Sequence, residues 1–309
     1  MLKTVYFSID KDSLLDSNIK EQMDEAVSYI KECGYGAELF ARDSDMGMNL
    51  DECDISDLRQ TLFVTDLPLE AAKLLSSGYY CIGVQHNNNP EAKFNGVKYV
   101  FTDIVEVDID SYVKAYQRYS GDPWEVIRTN RLLIRETTVE DVDEFYRLYK
   151  EPEMTRYMEG LFENPEDERR YQKDYIEKVY GLMGFGIWTV VRTEDNLVIG
   201  RAGYSIRNGF DDMELGFLIG KEYQGRGYAY EACRAILDYG REVLGFEKVC
   251  ALVKKENDVS LHLCRKLGFV EDKEVSVEEN IYGHNYTGSD SVNLSPSQYG
   301  DYIQMKLKL

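Results

Sequence analysis

Long apolar runs are missing: nowhere does the 309-residue sequence approach the ~20 consecutive apolar positions that a membrane-spanning helix requires. The opening MLKTVYFSIDKDSLLDS carries acids within its first dozen residues and no apolar stretch followed by small ones, so no secretory signal is expected and the expected location is the cytoplasm. Cysteine is sparse and scattered (Cys33, Cys53, Cys81, Cys233, Cys250, Cys264), with no Cys-x-x-Cys pair and no Cys/His cluster at metal-ligand spacing. Neither a disulfide framework nor a metal site is expected, and the thiols read as reduced, mostly core groups. Basic residues are in deficit, 36 Lys+Arg against 56 Asp+Glu, for a net charge of −20. Such a surface cannot release phosphate counterions, which excludes nucleic acid as a partner. The acidity divides into about −12 before residue 125 or so and about −8 over the longer remainder, so it is not concentrated in the second part of the chain. What is present is 43% hydrophobic and 12% aromatic residues, the composition of a globular protein. The length exceeds what one hydrophobic core normally serves, which predicts two domains.

The first stretch alternates strand and helix. VYFSI (residues 5 to 9) reads as a strand, and Met23, Ala26, Val27 and Ile30 repeat at helical spacing before Gly34. TLFVTD (61 to 66), an Ala-Lys-Leu-Leu helix ending near Gly78, YYCIGV (79 to 84), VKYVFTDI (97 to 104) and a helix from Ile109 to Arg118 continue the pattern. This rhythm predicts a parallel, helix-covered, Rossmann-like sheet with Asp10 and Asp66 at the C-terminal ends of their strands. YSGDPWEVIRT (119 to 129) holds a Gly-Asp-Pro turn and marks the boundary, giving domains at 1–122 and 128–309. Beyond it come the strand RLLIR, Thr138 as the N-cap of an acid-fronted helix, and a hairpin of FGIWTVVRT and LVIGRAGYSI turning at 194–196. MELGFLIG, a helix from Tyr228 to Val243, KVCALVKK, a helix from Ser260 to Leu267 stopped by Gly268, and the final strand YIQMKLKL complete the reading, with 285–300 as a loop.

Between strand MELGFLIG and its helix lies Gln224-Gly225-Arg226-Gly227-Tyr228-Ala229. Two glycines let the backbone turn tightly, so that successive N–H groups can face one concavity at the positive end of the helix dipole. That is pyrophosphate-binding chemistry. Arg226 can add charge at the rim, and Ala229 keeps the first helical turn slim. An ordinary strand-to-helix turn would also hold such glycines.

The wider arrangement resembles the GNAT superfamily of N-acetyltransferases over about residues 128 to 309. It includes the Q/R-x-x-G-x-G/A loop, Asn257, Ser260, Lys266, Gly268 and Phe269 at the family's N-x-x-S…K-x-G-F positions, and RLLIRETTVEDVDEF, which looks like the opening of the ribosomal-protein (RimJ/RimL-like) branch. The resemblance implies a mixed α+β domain with a splayed sheet and acetyl-coenzyme A as co-substrate. Its pantetheine arm would lie along Phe217, Leu218 and Ile219, its pyrophosphate on residues 224 to 229, and Asn257 and Ser260 would face the cofactor. The acceptor would be a primary amine, on a small molecule or a protein N-terminus, attacking the thioester directly. Glu214 would be the base, with a surface or anchoring carboxylate as its ordinary alternative, and Leu218 would offer a backbone N–H to the thioester oxygen. Cys264 stands where many members carry a tyrosine acid. It could protonate the leaving thiolate or simply pack in the core.

VYFSIDKDSLLDS resembles the opening of haloacid dehalogenase-like (HAD) phosphatases, with departures. If Asp10 is the family's acid/base Asp, Ser8 stands at the nucleophile, where a carboxylate is needed. With Asp10 as nucleophile, Asp12 becomes the acid. Asp66 matches the later metal-binding Asp. The resemblance implies either a small phosphatase or a non-catalytic module for packing, homodimer formation or substrate presentation. The chain as a whole reads as an N-acetyltransferase, as a bifunctional enzyme with phosphohydrolase activity, or as a non-catalytic acyl-coenzyme A sensor. The acidic, Tyr-rich segment 151–180 suits a cationic or aromatic-stacking amine.

Overall fold

The computed structural model describes residues 1–43, 58–279, 286, 288 and 298–309, so Cys53 and most of the 285–300 segment lie outside the described residues. The chain forms two compact units, Met1–Asp122 and Pro123–Leu309. Among the described residues no helix is long and apolar enough to cross a membrane.

The first unit contains β1 (Thr4–Asp10), α1 (Ser17–Glu32), β2 (Gly36–Arg42), β3 (Thr61–Thr65), α2 (Pro68–Ser76), β4 (Tyr80–Val84), β5 (Val100–Phe101) and α3 (Ile109–Ser120). Its sheet is parallel throughout, in the order β2-β1-β3-β4-β5. Alternate residues of the central strands serve opposite faces. Val5, Phe7, Ile9, Leu62 and Val64 pack with α1 and α3, whereas Tyr6, Phe63 and Cys81 pack with Ala71 and Leu74 of α2. Two residues of VKYVFTDI, not eight, pair as strand, and GAELFAR is a strand that the sequence reading passed over.

The second unit begins with β6 (Glu125–Arg128) and β7 (Leu132–Arg135), so the boundary segment carries a short strand as well as its turn. Thr138 and Asp141 form a reciprocal capping box ahead of α4 (Val142–Leu148). There follow α5 (Pro165–Tyr175), a π turn at Ile176–Tyr180, α6 (Gly181–Met183), and the hairpin of β8 (Ile187–Arg192) and β9 (Leu197–Ser205), whose turn uses Asn196 at φ 58°. The chain continues through β10 (Met213–Ile219), α7 (Tyr228–Glu242), β11 (Lys248–Lys254), α8 (Asp258–Leu267), β12 (Val270–Glu279) and β13 (Gln298–Lys308). Residues 298–300, expected in a loop, are therefore strand. The sheet order is β12-β13-β11-β10-β9-β8-β7-β6, and its strand pairs are antiparallel except β10 with β11, which α7 joins as a crossover.

Helix α7 buries Ala232, Cys233, Ile236, Leu237 and Gly240 against the sheet. The Tyr204 hydroxyl reaches across to donate to the Ile236 carbonyl at 2.9 Å, and its ring occupies the space a side chain at Gly240 would need. A Cβ there would lie 2.2 Å from the hydroxyl oxygen and 2.9 Å from the ring carbon bearing it. Tyr204 is fully buried and cannot retreat. Gly240→Ala should therefore cost about 1–3 kcal/mol, read as a lower thermal unfolding midpoint; an unchanged midpoint would mean the helix can lift from the sheet without loss.

Candidate active site

Strands β10 and β11 pair only at Met213 with Val249 and Glu214 with Cys250. Past that point they part, although each stays bound on its outer side: β10 to β9 from Glu214 through Ile219, β11 to β13 from Lys248 through Lys254. The β11-facing edge of β10 beyond Glu214 is thus an unpaired strand edge inside a sheet. Gly220 donates to the Ile199 carbonyl at 2.8 Å, which sets the phase of the β9–β10 ladder. Alternation then turns the Leu218 N–H toward β9 and those of Phe217 and Ile219 toward the gap. Leu218, expected as the backbone donor, contributes its side chain instead, and its two neighbours hold the free donors.

A cleft of about 640 Å³ opens at this parting, lined by Gly216, Phe217 and Leu218 of β10, Lys254 of β11, Arg201 of β9 and a wall from segment 149–175. The predicted residues brought to it are Phe217 and Leu218. Glu214 lies on the same strand face as Gly216 and Leu218, at the closed end of the gap and just outside the lining. Its carboxylate accepts from the Ser205 hydroxyl at 3.3 Å and has the Arg207 Nε at 3.9 Å. Burial raises its pKa above the ordinary carboxylate value of 4.5, against the opposing pull of Arg207 and Ser205.

At the far end of β10 the predicted loop is built as a cradle. Gly225 and Gly227 have φ of 73° and 82°, and a Cβ at Gly225 would meet nothing within 4 Å. Both conformations belong to the left-handed region that glycine enters without strain. Gly227 is the N-cap of α7, so the first turn's N–H groups point outward. From Gly227 through Tyr230 no backbone N–H donates to a described acceptor; the next, that of Glu231, donates to Gly227 O at 3.0 Å. The carbonyl side is pinned from behind. Arg131 donates through Nη1 to Arg226 O at 3.0 Å and through Nε to Glu231 at 2.6 Å, and its guanidinium lies 4.6 Å from the centre of the Tyr228 ring. Thr129 adds a 2.6 Å bond to the same carboxylate. Burial alone would raise the Glu231 pKa, but the Thr129 and Arg131 hydrogen bonds outweigh it and hold the group below its ordinary value. Neither Arg131 nor Thr129 stood out in the sequence, because nothing local ties them to a loop some 95 residues away.

The remaining predicted residues take varied places. The Gln224 side chain folds back to donate to Ile219 O at 2.8 Å, closing the end of the strand. Asn257 caps α8, its Oδ1 accepting from the Ser260 N–H at 3.1 Å, which explains the N-x-x-S spacing; its Nδ2 donates to no described acceptor. Cys264 is fully buried in the core, and burial pushes its thiol up to about 12. It packs against the sheet and is not among the residues that line the cleft, which is the place of a small core residue.

In the first unit, Asp10 ends β1 and Asp66 follows β3, at the point where successive connections leave β1 and β3 in opposite directions. Asp66 accepts the Asp10 N–H at 2.8 Å and His86 Nε2 at 2.9 Å. Fully buried Ser8 donates to Glu70 at 2.6 Å, and Thr65 to the same carboxylate at 3.2 Å. Burial raises the Glu70 pKa, and the two hydroxyls and Arg42 oppose it.

An Acetyltransferase (GNAT) domain family matches residues 131–270. The chain is 32% identical over 143 residues to the uncharacterized N-acetyltransferase YnaD of Bacillus subtilis, covering 46% of this chain and 81% of that protein. It is 29% identical over 154 residues to the uncharacterized N-acetyltransferase p20 of Bacillus licheniformis, covering 48% and 84%. Against the spermidine N(1)-acetyltransferase of Escherichia coli it is 41% identical over 70 residues, covering 23% and 38%. With its splayed sheet and N–H cradle, the chain belongs to the GNAT family of N-acetyltransferases and is an acyltransferase enzyme.

Glu214 is more protonated in the folded protein than in the unfolded chain wherever pH lies between its ordinary and its raised pKa, so its ionisation opposes folding as pH rises through that window. Glu214→Gln should therefore raise the melting temperature by a few degrees at neutral pH and leave it unchanged below the ordinary carboxylate pKa. A variant less stable at neutral pH alone would show that the charge is satisfied by its neighbours.

Proposed function

We propose that the second unit moves an acetyl group from acetyl-coenzyme A to a primary amine by direct attack, without a covalent acyl-enzyme. One observation carries this reading: the strand whose edge lies open inside the sheet ends in a loop and helix turn with four consecutive unengaged N–H groups, from Gly227 to Tyr230. An amide-bearing arm fits the first feature as an added strand, and a pyrophosphate fits the second. Acetyl-coenzyme A supplies both groups together with the thioester. Gly225 to Tyr230 and Arg226 would hold the pyrophosphate, Phe217 and Ile219 the arm, and Asn257 Nδ2 would face it.

The chemistry left to the protein is positioning and proton movement. The amine nitrogen forms a bond to the carbonyl carbon, the carbon–sulfur bond breaks, the nitrogen's proton goes to Glu214 through water, and the sulfur leaves as the free thiol after taking up a proton. The Phe217 N–H stabilises the charge that grows on the carbonyl oxygen. Burial makes Glu214 a better base than an exposed carboxylate. An amine acceptor is also supported by the spermidine acetyltransferase among the relatives. The opening RLLIRETTVEDVDEF favours the ribosomal-protein branch, and a protein N-terminus remains within the acceptor class.

For the first unit the geometry favours a HAD-like module without catalysis. Ser8 is buried and bonded to Glu70, and the Asp66 carboxylate is taken by Asp10 and His86.

Calorimetric titration with acetyl-coenzyme A should show binding to the intact protein and roughly 100-fold weaker binding, about 3 kcal/mol, to Gly227→Asp, which sets a carboxylate in the cradle. Unchanged melting of the variant would separate charge repulsion from misfolding, and failure of the parent to bind would overturn the reading. In rate measurements Glu214→Gln should lower kcat at least ~100-fold and abolish the fall in rate as pH drops through the raised Glu214 pKa. Persistence of that acidic limb in the variant would assign it to another group.

A further inference from the structure

The cleft holds two cations, and they are treated differently. Lys254 is neutralised by Glu279 at 2.8 Å. Arg201 forms no ion pair among the described residues, although its guanidinium is largely withdrawn from solvent and its Nε is buried without a hydrogen-bond partner. It is held in place by weaker contacts. The guanidinium carbon lies 4.3 Å from the centre of the fully buried Phe145 ring, and the Tyr149 hydroxyl lies against the group. Glu168, which lines the same cleft, attracts it without an ion pair, and its two oxygens already accept from Gln172 Nε2 at 2.7 Å and from the Phe162 N–H at 3.3 Å.

Arg201 also stands at the reaction centre. It is in register with Leu218 on β10, and directly opposed residues of an antiparallel pair project from the same face, so the guanidinium rises from the floor of the cleft beside the strand residues that would hold the thioester. A buried guanidinium lacking a carboxylate is costly unless something completes it, and its planar fork matches a carboxylate in two parallel hydrogen bonds.

Resting on the acetyltransferase reading above, we propose that the acceptor is an amine that itself carries a carboxylate, an amino-acid-like molecule, and that Arg201 binds that carboxylate and so selects the substrate. A polyamine presents only cations to this position and is disfavoured by repulsion, whatever the acidic residues of the outer wall attract. Glu159 and Glu163 of that wall lie in the cleft lining, where they favour approach of the ammonium end of the same molecule.

The test uses the full chain and follows thiol release from acetyl-coenzyme A with free amino acids, with the amides of the same amino acids, and with spermidine. At least one free amino acid should be acetylated with a kcat/KM roughly 100-fold above its own amide, the difference lying mainly in KM. Arg201→Gln should bring that ratio close to one, and Arg201→Lys should restore part of it. The acid-to-amide comparison in the unaltered protein needs no variant to fold. Equal use of acid and amide, preference for spermidine, or an Arg201→Gln loss that falls equally on both would overturn the proposal. So would acetyl-coenzyme A binding with no amino acid turned over. Absence of acetyl-coenzyme A binding would instead remove the acetyltransferase reading on which the proposal stands.

Discussion

Everything in the second unit depends on two neighbouring strands letting go of each other. A gap in a sheet is normally closed by the hydrogen bonds it leaves unmade, and an exposed strand edge invites pairing with another chain. Here the gap persists because each lip is fastened on its far side, β10 by β9 and β11 by β13, over nearly the whole length of each strand. The crossover through α7 makes β10 and β11 parallel neighbours, and packing of α7 on the sheet fixes where they meet. What remains is a slot with unpaired backbone donors and acceptors along one lip.

The same economy governs the anion cradle. A loop that leaves four consecutive N–H groups unengaged would tend to collapse onto its own carbonyls. The Arg131 contact with Arg226 O holds the carbonyl face backward, and the Arg131 stack on Tyr228 fixes the first helical residue. Glu231, in the first turn of α7, anchors Arg131 and also lies favourably toward the positive end of the helix. A cation and an anion thus serve to fix the loop's shape.

Features encoded locally were legible in the sequence and features assembled from distant elements were not. The loop Gln224–Ala229 is one contiguous string whose glycines, flanking strand and helix announce its geometry. The hairpin β8–β9 and the capped start of α4 were readable for the same reason. By contrast, VEDKEVSVEE becomes β12 with Val277 as its one buried residue, so no alternation of apolar residues marks it; the strand exists because β13 offers it a partner. β6 and β2 are likewise edge strands defined by their neighbours. Arg201 escaped notice because its meaning comes from Phe145, Tyr149 and Glu168, which belong to two other helices. Leu218 was identified as a position but assigned the wrong group, since ladder phase is set by pairing with β9 and does not appear in one strand's sequence.

The first unit is a parallel sheet whose strand ends bring several polar side chains together. Its parallel order β2-β1-β3-β4-β5 puts the ends of β1 and β3 side by side, the place where open sheets of this kind bind ligands. A phosphate-transfer site there needs carboxylates free to take a cation and a phosphoryl group. Two of the carboxylates at this crevice, Asp66 and Glu70, are buried and engaged, whereas the Asp10 carboxylate accepts only the Asp12 N–H at 3.3 Å. Asp66 accepts from Asp10 N and His86, while the His86 Nδ1 accepts from the Asn88 N–H at 3.3 Å, which assigns the ring proton to Nε2. Glu70 absorbs the Ser8 and Thr65 hydroxyls. Each bond satisfies a buried polar group that would otherwise cost stability, and each removes an acceptor that catalysis would require. Bonds of this kind tie the ends of β1 and β3 to α2 and to His86 and hold the crevice in one arrangement.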